Sequence, residues 1–313
     1  MEMFAEPLEV FRQKKMNYTF EQFLFCQNEH IFLQQAAEVI VFYASKKSKI
    51  VARINFFITN GAALSPLKMS FGGLELASEL AYQDVFTFLT FVERIIQEKK
   101  LVKIHISAPP FCYQTQQAEL VSQILLAKNY QIKNAEIGHF IEVNRHNFQQ
   151  RLHISEQRRL KKLKKNGFFV ELNPDLSRRF IYEFIKKARE RKNFPISMSF
   201  ENFEKTLQLF PEKYLVFVVK KEEQIAAISV AIMLNENILY NFYPADNEDF
   251  LSFSPTIMLN EALYEYAQKN NFGILDLGVS TDRSQPNFGL IRFKENLGAK
   301  SSLKLSFEKY FLV

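Results

Sequence analysis

The stretch that decides the fold is SPTIMLNEALYEYAQKNNFGILDLG, Ser254 to Gly278, followed closely by GLIRFKENLGA, Gly289 to Ala299. Ser254 suits a helix N-cap. Pro255 suits the first helical position, where a missing N–H costs nothing. Leu259, Ala262, Leu263 and Tyr266 recur at helical spacing, so a helix is expected as far as Gln268. GILDLG then reads as a buried strand. Gly289 and Gly298 bracket a last short helix, with Leu290, Ile291, Phe293 and Leu297 on its apolar side and Lys294 at its middle.

Beyond these segments, Asp175 to Lys192 and Phe200 to Phe210 read as helices. Strand-like runs begin at Tyr214, Gln224 and Ile238, with the short polar links KEE and NEN predicting antiparallel hairpins. SLKLSFEKYFLV closes the chain as strand. The first half follows nearly the same order. A helix is expected over Tyr18 to Gln34, strands over Glu38 to Ala44 and Ile50 to Ile58, and a third strand over Ser70 to Leu76, interrupted by Gly72-Gly73. A helix from Asp84 to Lys99, the strand LVKIHIS, a helix from Gln116 to Ala127 and the strand HFIEVN complete it. The order strand, strand, strand, helix, strand, helix, strand thus occurs twice. The expected division is 1–150, a basic connecting helix over 151–168, and 169–313.

The bulk properties agree with a globular chain. With 313 residues and 47% hydrophobic content there is ample material for two cores. Two cysteines, Cys26 and Cys112, make no disulfide framework and fit a reducing cytosol. The first residues carry acids and no unbroken apolar core, so no signal peptide is expected. No apolar run approaches the roughly 20 residues that span a bilayer. The five histidines show no metal-ligand spacing, and no metal is expected. No GxSxG, P-loop or dinucleotide fingerprint occurs. The net charge of +6 is concentrated in RRLKKLKK, where Arg158, Arg159, Lys161, Lys162, Lys164 and Lys165 are all basic. Leu160 and Leu163 let one side of this segment pack while the other presents charge to phosphates or to solvent.

The doubled order, with SPLKMSFGGLE (Ser65 to Glu75), RRLKKLKKNGF (Arg158 to Phe168) and the two segments quoted first, resembles the GNAT superfamily. More narrowly it resembles the FemAB/FemX-like branch, in which two such domains share one chain. The resemblance implies an α/β fold of two tandem GNAT-like domains, each a mixed, mainly antiparallel sheet flanked by helices. It implies transfer of an activated acyl or aminoacyl group from acyl-CoA or aminoacyl-tRNA to an acceptor amine, a cell-wall precursor or another small molecule. Contact with charged tRNA or a membrane periphery also fits. The alternative is a non-catalytic binding module on the same fold. Acyl-CoA enzymes of the superfamily carry a Gly-rich pyrophosphate loop before the helix at Ser254. Here that loop is PADNEDFLSFSP, without glycine and with Asp246, Glu248 and Asp249.

Site residues are implied by the same resemblance. Lys294 matches the Phe-Lys element implicated in transfer, where an ammonium offsets developing negative charge; the bland reading is a solvated helix lysine. Asp276 can accept a proton or orient substrate, or can cap a loop. Tyr243 can act as a phenolic acid or simply pack, and Asn241 shares its strand face. Ser254 stands at the helix start that faces the donor. Arg283 can clamp an anion, and Asn287 belongs to the same polar loop. In the first half, Gly72 and Gly73 can admit a ligand to the backbone, with Glu75 as a base; the bland reading is a β-bulge.

Overall fold

The computed structural model describes residues 1–194, 196, 198–282 and 284–311. Its first elements are β1 (Glu2–Pro7), α1 (Leu8–Phe11), β2 (Asn17–Tyr18), α2 (Asn28–Phe32), β3 (Glu38–Lys46), β4 (Lys49–Thr59), β5 (Ala62–Ser65) and β6 (Glu75–Leu76). Next come α3 (Tyr82–Glu98), β7 (Lys103–Ser107), α4 (Thr115–Ala127), β8 (Gln131–Glu142), α5 (Ile154–Lys165), β9 (Phe168–Leu172), α6 (Arg178–Glu190) and α7 (Phe200–Leu209). The remainder is β10 (Tyr214–Lys221), β11 (Gln224–Met233), β12 (Ile238–Asp246), α8 (Thr256–Lys269), β13 (Ile274–Val279), β14 (Thr281–Asp282), β15 (Gln285–Pro286), α9 (Phe288–Asn296) and β16 (Lys300–Tyr310). Two compact units result. One is Met1–Glu136 with the chain from Ser302 onward; the other is Ile137–Ser301.

In the first unit the strand order is β1-β3-β4-β5-β7-β16, with β2 and β6 also on β4. β5 and β7 are parallel, joined by the α3 crossover, and the other neighbours on that path are antiparallel. Phe42, Phe56, Phe88, Ile104 and Phe307 are among its fully buried residues. Two expected elements are replaced here. The third strand is Ala62–Ser65, and only Glu75–Leu76 of the Gly-Gly segment pairs with β4. Gly72 N–H donates to Ser107 O (3.0 Å) and Gly73 N–H to Ser65 Oγ (3.0 Å), so this backbone is satisfied outside a β4 ladder and no bulge forms. The expected helix over Tyr18 to Gln34 is a strand end, a 3-10 turn (Leu24–Cys26) and the short α2. Phe23, Leu24, Phe25 and Cys26 are consecutive and all buried. A helix would have spread them around its axis.

The second unit has the order β8-β13-β12-β11-β10-β9. β9 to β12 are antiparallel neighbours, with Lys221 opposite Gln224 across a two-residue link. β11 is buried over most of its length, which is why QIAAISVAIM reads as an almost unbroken apolar run. α8 crosses over the sheet, burying Ile257, Leu259, Leu263 and Ala267, and returns the chain parallel to β12 as β13. α5 belongs inside this unit, because Leu160 and Leu163 are part of its core. It is therefore no free connector. β16 pairs with β7, Ser306 opposite Ser107, so the last strand completes the first unit and the limits differ from those expected.

The start of α8 and the end of α9 are each fixed by a residue in the left-handed region. Ser254 is not the N-cap of α8. It ends a 3-10 turn (Glu248–Phe253) at φ 57°, and Pro255 takes the cap position with no side-chain bond. α9 closes at Gly298, φ +79°. Gly298 N–H donates to Glu295 O (2.8 Å) and Ala299 N–H to Lys294 O (3.2 Å), the paired bonds of a Schellman cap. The spacing from Lys294 to Gly298 is thus a requirement of helix termination. A Cβ at Gly298 would lie 2.8 Å from Arg151 Cβ and 2.9 Å from Arg151 O. Gly298→Ala is expected to destabilise the chain by about 2 kcal/mol or more. Gly289→Ala, whose Cβ would meet nothing closer than 3.6 Å, is expected to be neutral or slightly stabilising. Urea unfolding of the two variants checks the contrast.

Candidate functional site

The parallel pairing of β12 and β13 runs Ile238↔Ile274, Leu239↔Leu275, Tyr240↔Asp276 and then stops. On β12 the register with β11 slips at Phe242, where Val230 faces Tyr243 and Ala231 faces Asn241. The extra residue bends β12 away. On β13, Gly278 (φ +73°) breaks the register with β8 between Asp276 and Val279. The two strands therefore part, and a cleft of about 470 Å³ opens there. It brings together Asn241, Ser254, Asn287 and Lys294 among the expected residues, with Arg159 at its rim. Leu251, Leu277, Leu290, Phe293 and Leu297 supply apolar wall.

Lys294 is not a solvated helix lysine. It is 6% exposed, and its Nζ donates to Gly278 O (2.8 Å) and Val279 O (2.9 Å). Both carbonyls lie just past the last β12–β13 pair, so the ammonium satisfies backbone at the strand opening. The third N–H has no protein acceptor among the described residues, and the side chain lines the cleft. Burial lowers its pKa from 10.5 to about 8, while the charge of Asp276 works the other way. At neutral pH it remains chiefly a cation. Sequence reasoning passed over its neighbour His139, which is buried with Nδ1 2.9 Å from Ser280 Oγ. Burial, reinforced by the Lys294 charge, holds His139 down at about 4, so its ring is neutral.

Other expected residues are placed differently. Asp276 is buried and its Oδ1 accepts from Gly278 N–H (2.7 Å), shaping the strand end; it does not line the cleft. Tyr243 is buried against Phe242, ring centroids 3.9 Å apart, with the Arg189 guanidinium 5.4 Å from its ring; it too lies off the cleft. Asn287 lines the cleft, but its Oδ1 accepts from Leu290 N–H (3.0 Å) as the N-cap of α9. Arg283 lies outside the described residues. Asn241 meets a partner the sequence did not suggest: its Nδ2 donates to Asn260 Oδ1 (3.2 Å), and its Oδ1 accepts from Ser229 (2.6 Å). Asn260 in turn donates to Thr256 O (2.8 Å), giving the cleft an uncharged polar floor. Only the fold, by laying α8 over β12, brings these residues together.

Two of the three carboxylates of the acidic loop are ion-paired by α6 and the residues after it. Asp246 is ion-paired with Arg191 and with Lys192 (3.0 Å), and Glu248 with Lys187 (2.7 Å). Backbone donors at the start of α8 are largely used. Ser254 N–H donates to Leu251 O, Pro255 has none, Ile257 donates to Ser254 O and Met258 to Pro255 O. Among the described residues Thr256 alone retains a donor there, far from the set of N–H groups that cradles a pyrophosphate.

The first-unit candidates do not join this cleft. A Cβ on Gly72 would meet Ser65 Oγ at 2.8 Å, so its small size serves packing within the chain. Glu75 is buried, accepting from Phe23 N–H (3.0 Å) and Gln22 (3.4 Å). Burial lifts its carboxyl to about 7 against the opposing charge of Arg53. Arg53 is itself fully buried, donating to Tyr18 OH (2.6 Å), Asn28 (2.5 Å) and Asn55 (3.1 Å). This is a core polar cluster and not a base facing a ligand. Ser107, His105 and Glu308 form a triad-like chain, 3.1 Å at each step. Glu308 is also ion-paired with Lys103 (2.6 Å), and none of the three lines the cleft. Among the described residues no group of three His, Cys, Asp or Glu side chains could hold a metal. No helix there is long and apolar enough to cross a membrane.

No protein-family model and no curated protein sequence matches the chain. Solved structures do. FemX aligns with a TM-score of 0.73 at 12% identity, over 99% of this chain and 98% of that one. L-PGS from Bacillus licheniformis gives 0.57 at 13% identity, over 98% and 92%. A tandem GNAT protein from the clavulanic acid biosynthesis pathway gives 0.56 at 9% identity, over 99% and 98%. The chain therefore has a two-domain GNAT/FemX-like fold.

The buried ammonium has a pH signature. Between about 8 and 10.5 the unfolded chain binds the Lys294 proton and the folded chain does not, so this site's contribution to stability rises with pH across that window. Below it, the folded protein bears the full cost of a buried cation. Lys294→Met is therefore expected to compare best with wild type at and below pH about 8, and progressively worse as pH approaches 10.5. Urea unfolding of both proteins across that range tests this; a difference independent of pH would contradict it.

Proposed function

We propose that the chain is an aminoacyltransferase that moves an aminoacyl group from tRNA onto an acceptor amine, forming an amide in the cleft of the second unit. The observation that carries this reading is Lys294: a buried cation at the opening of two parallel strands, its ammonium bonded to two backbone carbonyls and its side chain lining the cleft. The acceptor nitrogen attacks the ester carbonyl directly. A C–N bond forms, the ester C–O bond breaks, and the ribose hydroxyl departs with a proton. That proton is the one the neutral amine gives up as it becomes the amide nitrogen, so no proton is left over. Lys294 donates its free N–H to the oxygen that gains negative charge, an interaction of the kind worth about 10²–10³ in rate.

The loop before α8 favours this donor over acyl-CoA, because it has no glycine and few free backbone donors. The likeness to FemX and L-PGS supports the same choice. The acceptor belongs to the class of cell-wall precursors, lipid headgroups or other small amines, and a tRNA donor places the reaction in the cytosol.

A thermal-shift comparison tests the donor directly. A non-hydrolysable 3′-aminoacylamino-adenosine mimic is expected to raise the melting temperature saturably, and CoA and acetyl-CoA to leave it unchanged. A saturable shift with CoA alone would make the protein an acyl-CoA enzyme. No shift with any of them would favour a binding module without a donor site. In a transfer assay, Lys294→Met is expected to lose about 100-fold or more in kcat. Because the protonated form acts, wild-type transfer is expected to fall as pH rises through about 8, and the residual activity of the variant is expected to lack that limb.

A further inference from the structure

We propose that the outward face of α5 is the docking surface for the RNA body of the donor, and that Arg159 leads its phosphates to the cleft. This rests on the aminoacyl-tRNA reading of the cleft. α5 turns Leu160 and Leu163 into the core and leaves its cations outside. Three of these are occupied. Arg159 pairs with Glu156 (3.0 Å), Lys164 with Glu261 (2.8 Å), and Lys162 Nζ lies 4.6 Å from the Phe253 ring centroid. The other three, Arg158, Lys161 and Lys165, are exposed with no carboxylate in ion-pair reach among the described residues. They stand at i, i+3 and i+7, so they form one stripe roughly 10 Å long on one helix face. Like charges at this spacing repel, and an anionic partner relieves the repulsion.

The stripe is built to lead somewhere. Arg159 lines the cleft that holds Lys294. Its position is fixed by Glu156, a buried carboxylate that also accepts from Ser155 Oγ (3.1 Å) and Asn296 Nδ2 (3.5 Å) at the end of α9. Lys192, held by Asp246, lines the same cleft, so cations stand on both α5 and the chain after α6. Phe194 lines it as well, and Phe288, between the cleft residues Asn287 and Gly289, is 77% exposed. Aromatic faces beside cations suit unpaired bases with their phosphates. A recessed ammonium can be reached by a single-stranded 3′ end extending from a docked duplex. A planar lipid surface cannot follow it there.

The test is direct binding of deacylated tRNA to the full chain and to the triple variant Arg158→Gln, Lys161→Gln, Lys165→Gln, over a salt series. All three side chains are exposed, so the variant is expected to melt with wild type. Losing three phosphate contacts makes the plot of log K against log salt shallower by about 2.7, so wild type loses about 40-fold more affinity than the variant between about 50 and 200 mM salt. Equal slopes would overturn the proposal. So would wild-type binding to vesicles of anionic phospholipid with none to tRNA. Deacylated tRNA carries no acyl group, so binding succeeds or fails separately from transfer. A failed donor-mimic assay with retained tRNA binding would sink the reading of the cleft and leave the surface standing. The reverse result would do the opposite.

Discussion

Two backbone carbonyls, those of Gly278 and Val279, lie beyond the last β12–β13 pair and need a donor. The second unit is organised around supplying one. Parting two strands of a sheet exposes polar backbone, and leaving it unpaired in a dry interior costs about 1–3 kcal/mol per group. Lys294 meets both carbonyls with one ammonium. It can do so because α9 begins at an Asn287 cap and ends at a Gly298 cap, which hold the helix in place across the opening. The same buried charge is left with a free donor and a lowered pKa, so a structural necessity becomes a chemical group.

Electrostatics around the opening are arranged by pairing. The carboxylates of the loop before α8 would repel a polyanion if free, yet Asp246 and Glu248 are taken up by Arg191, Lys192 and Lys187. Asp246 thereby sets Lys192 beside the cleft. Glu156 does the same for Arg159 from the other side. Each acid is a positioning group for a cation, and Arg159, Lys192 and Lys294 line the cleft with Asp246. The uncharged floor of Asn241 and Asn260, with Ser229 bonded to Asn241 behind it, completes a site that can hold a polar, neutral group without charge of its own.

Much of this architecture was legible in the sequence where local signals agree. The hairpins β10 to β12, the α8 crossover and α9 are written in apolar periodicity and short polar links. The Lys294-to-Gly298 spacing is a helix-end rule visible as letters. What could not be read depends on partners far away in sequence. Phe23 to Cys26 looked helical because burial of consecutive residues resembles any apolar run. The Gly72-Gly73 segment looked like a strand because its bond to Ser107 is set by the fold. β16 sits with β7 for the same reason. Within the site, Lys294 was found from its motif, whereas Asn260, Lys192 and His139 carry no local mark. Asp276 and Tyr243 were implied by the resemblance, and in the structure both are buried and lie off the cleft lining.

The most direct measurement is the titration of Lys294 itself, by NMR of ¹³Cε-labelled lysines assigned with Lys294→Arg, with and without the aminoacylamino-adenosine mimic. A transfer site built on a buried ammonium predicts a resonance that titrates near 8 in the free protein and shifts when the mimic binds. A resonance that titrates near 10.5 and ignores the mimic would place Lys294 in solvent, away from any transfer site, and contradict that role.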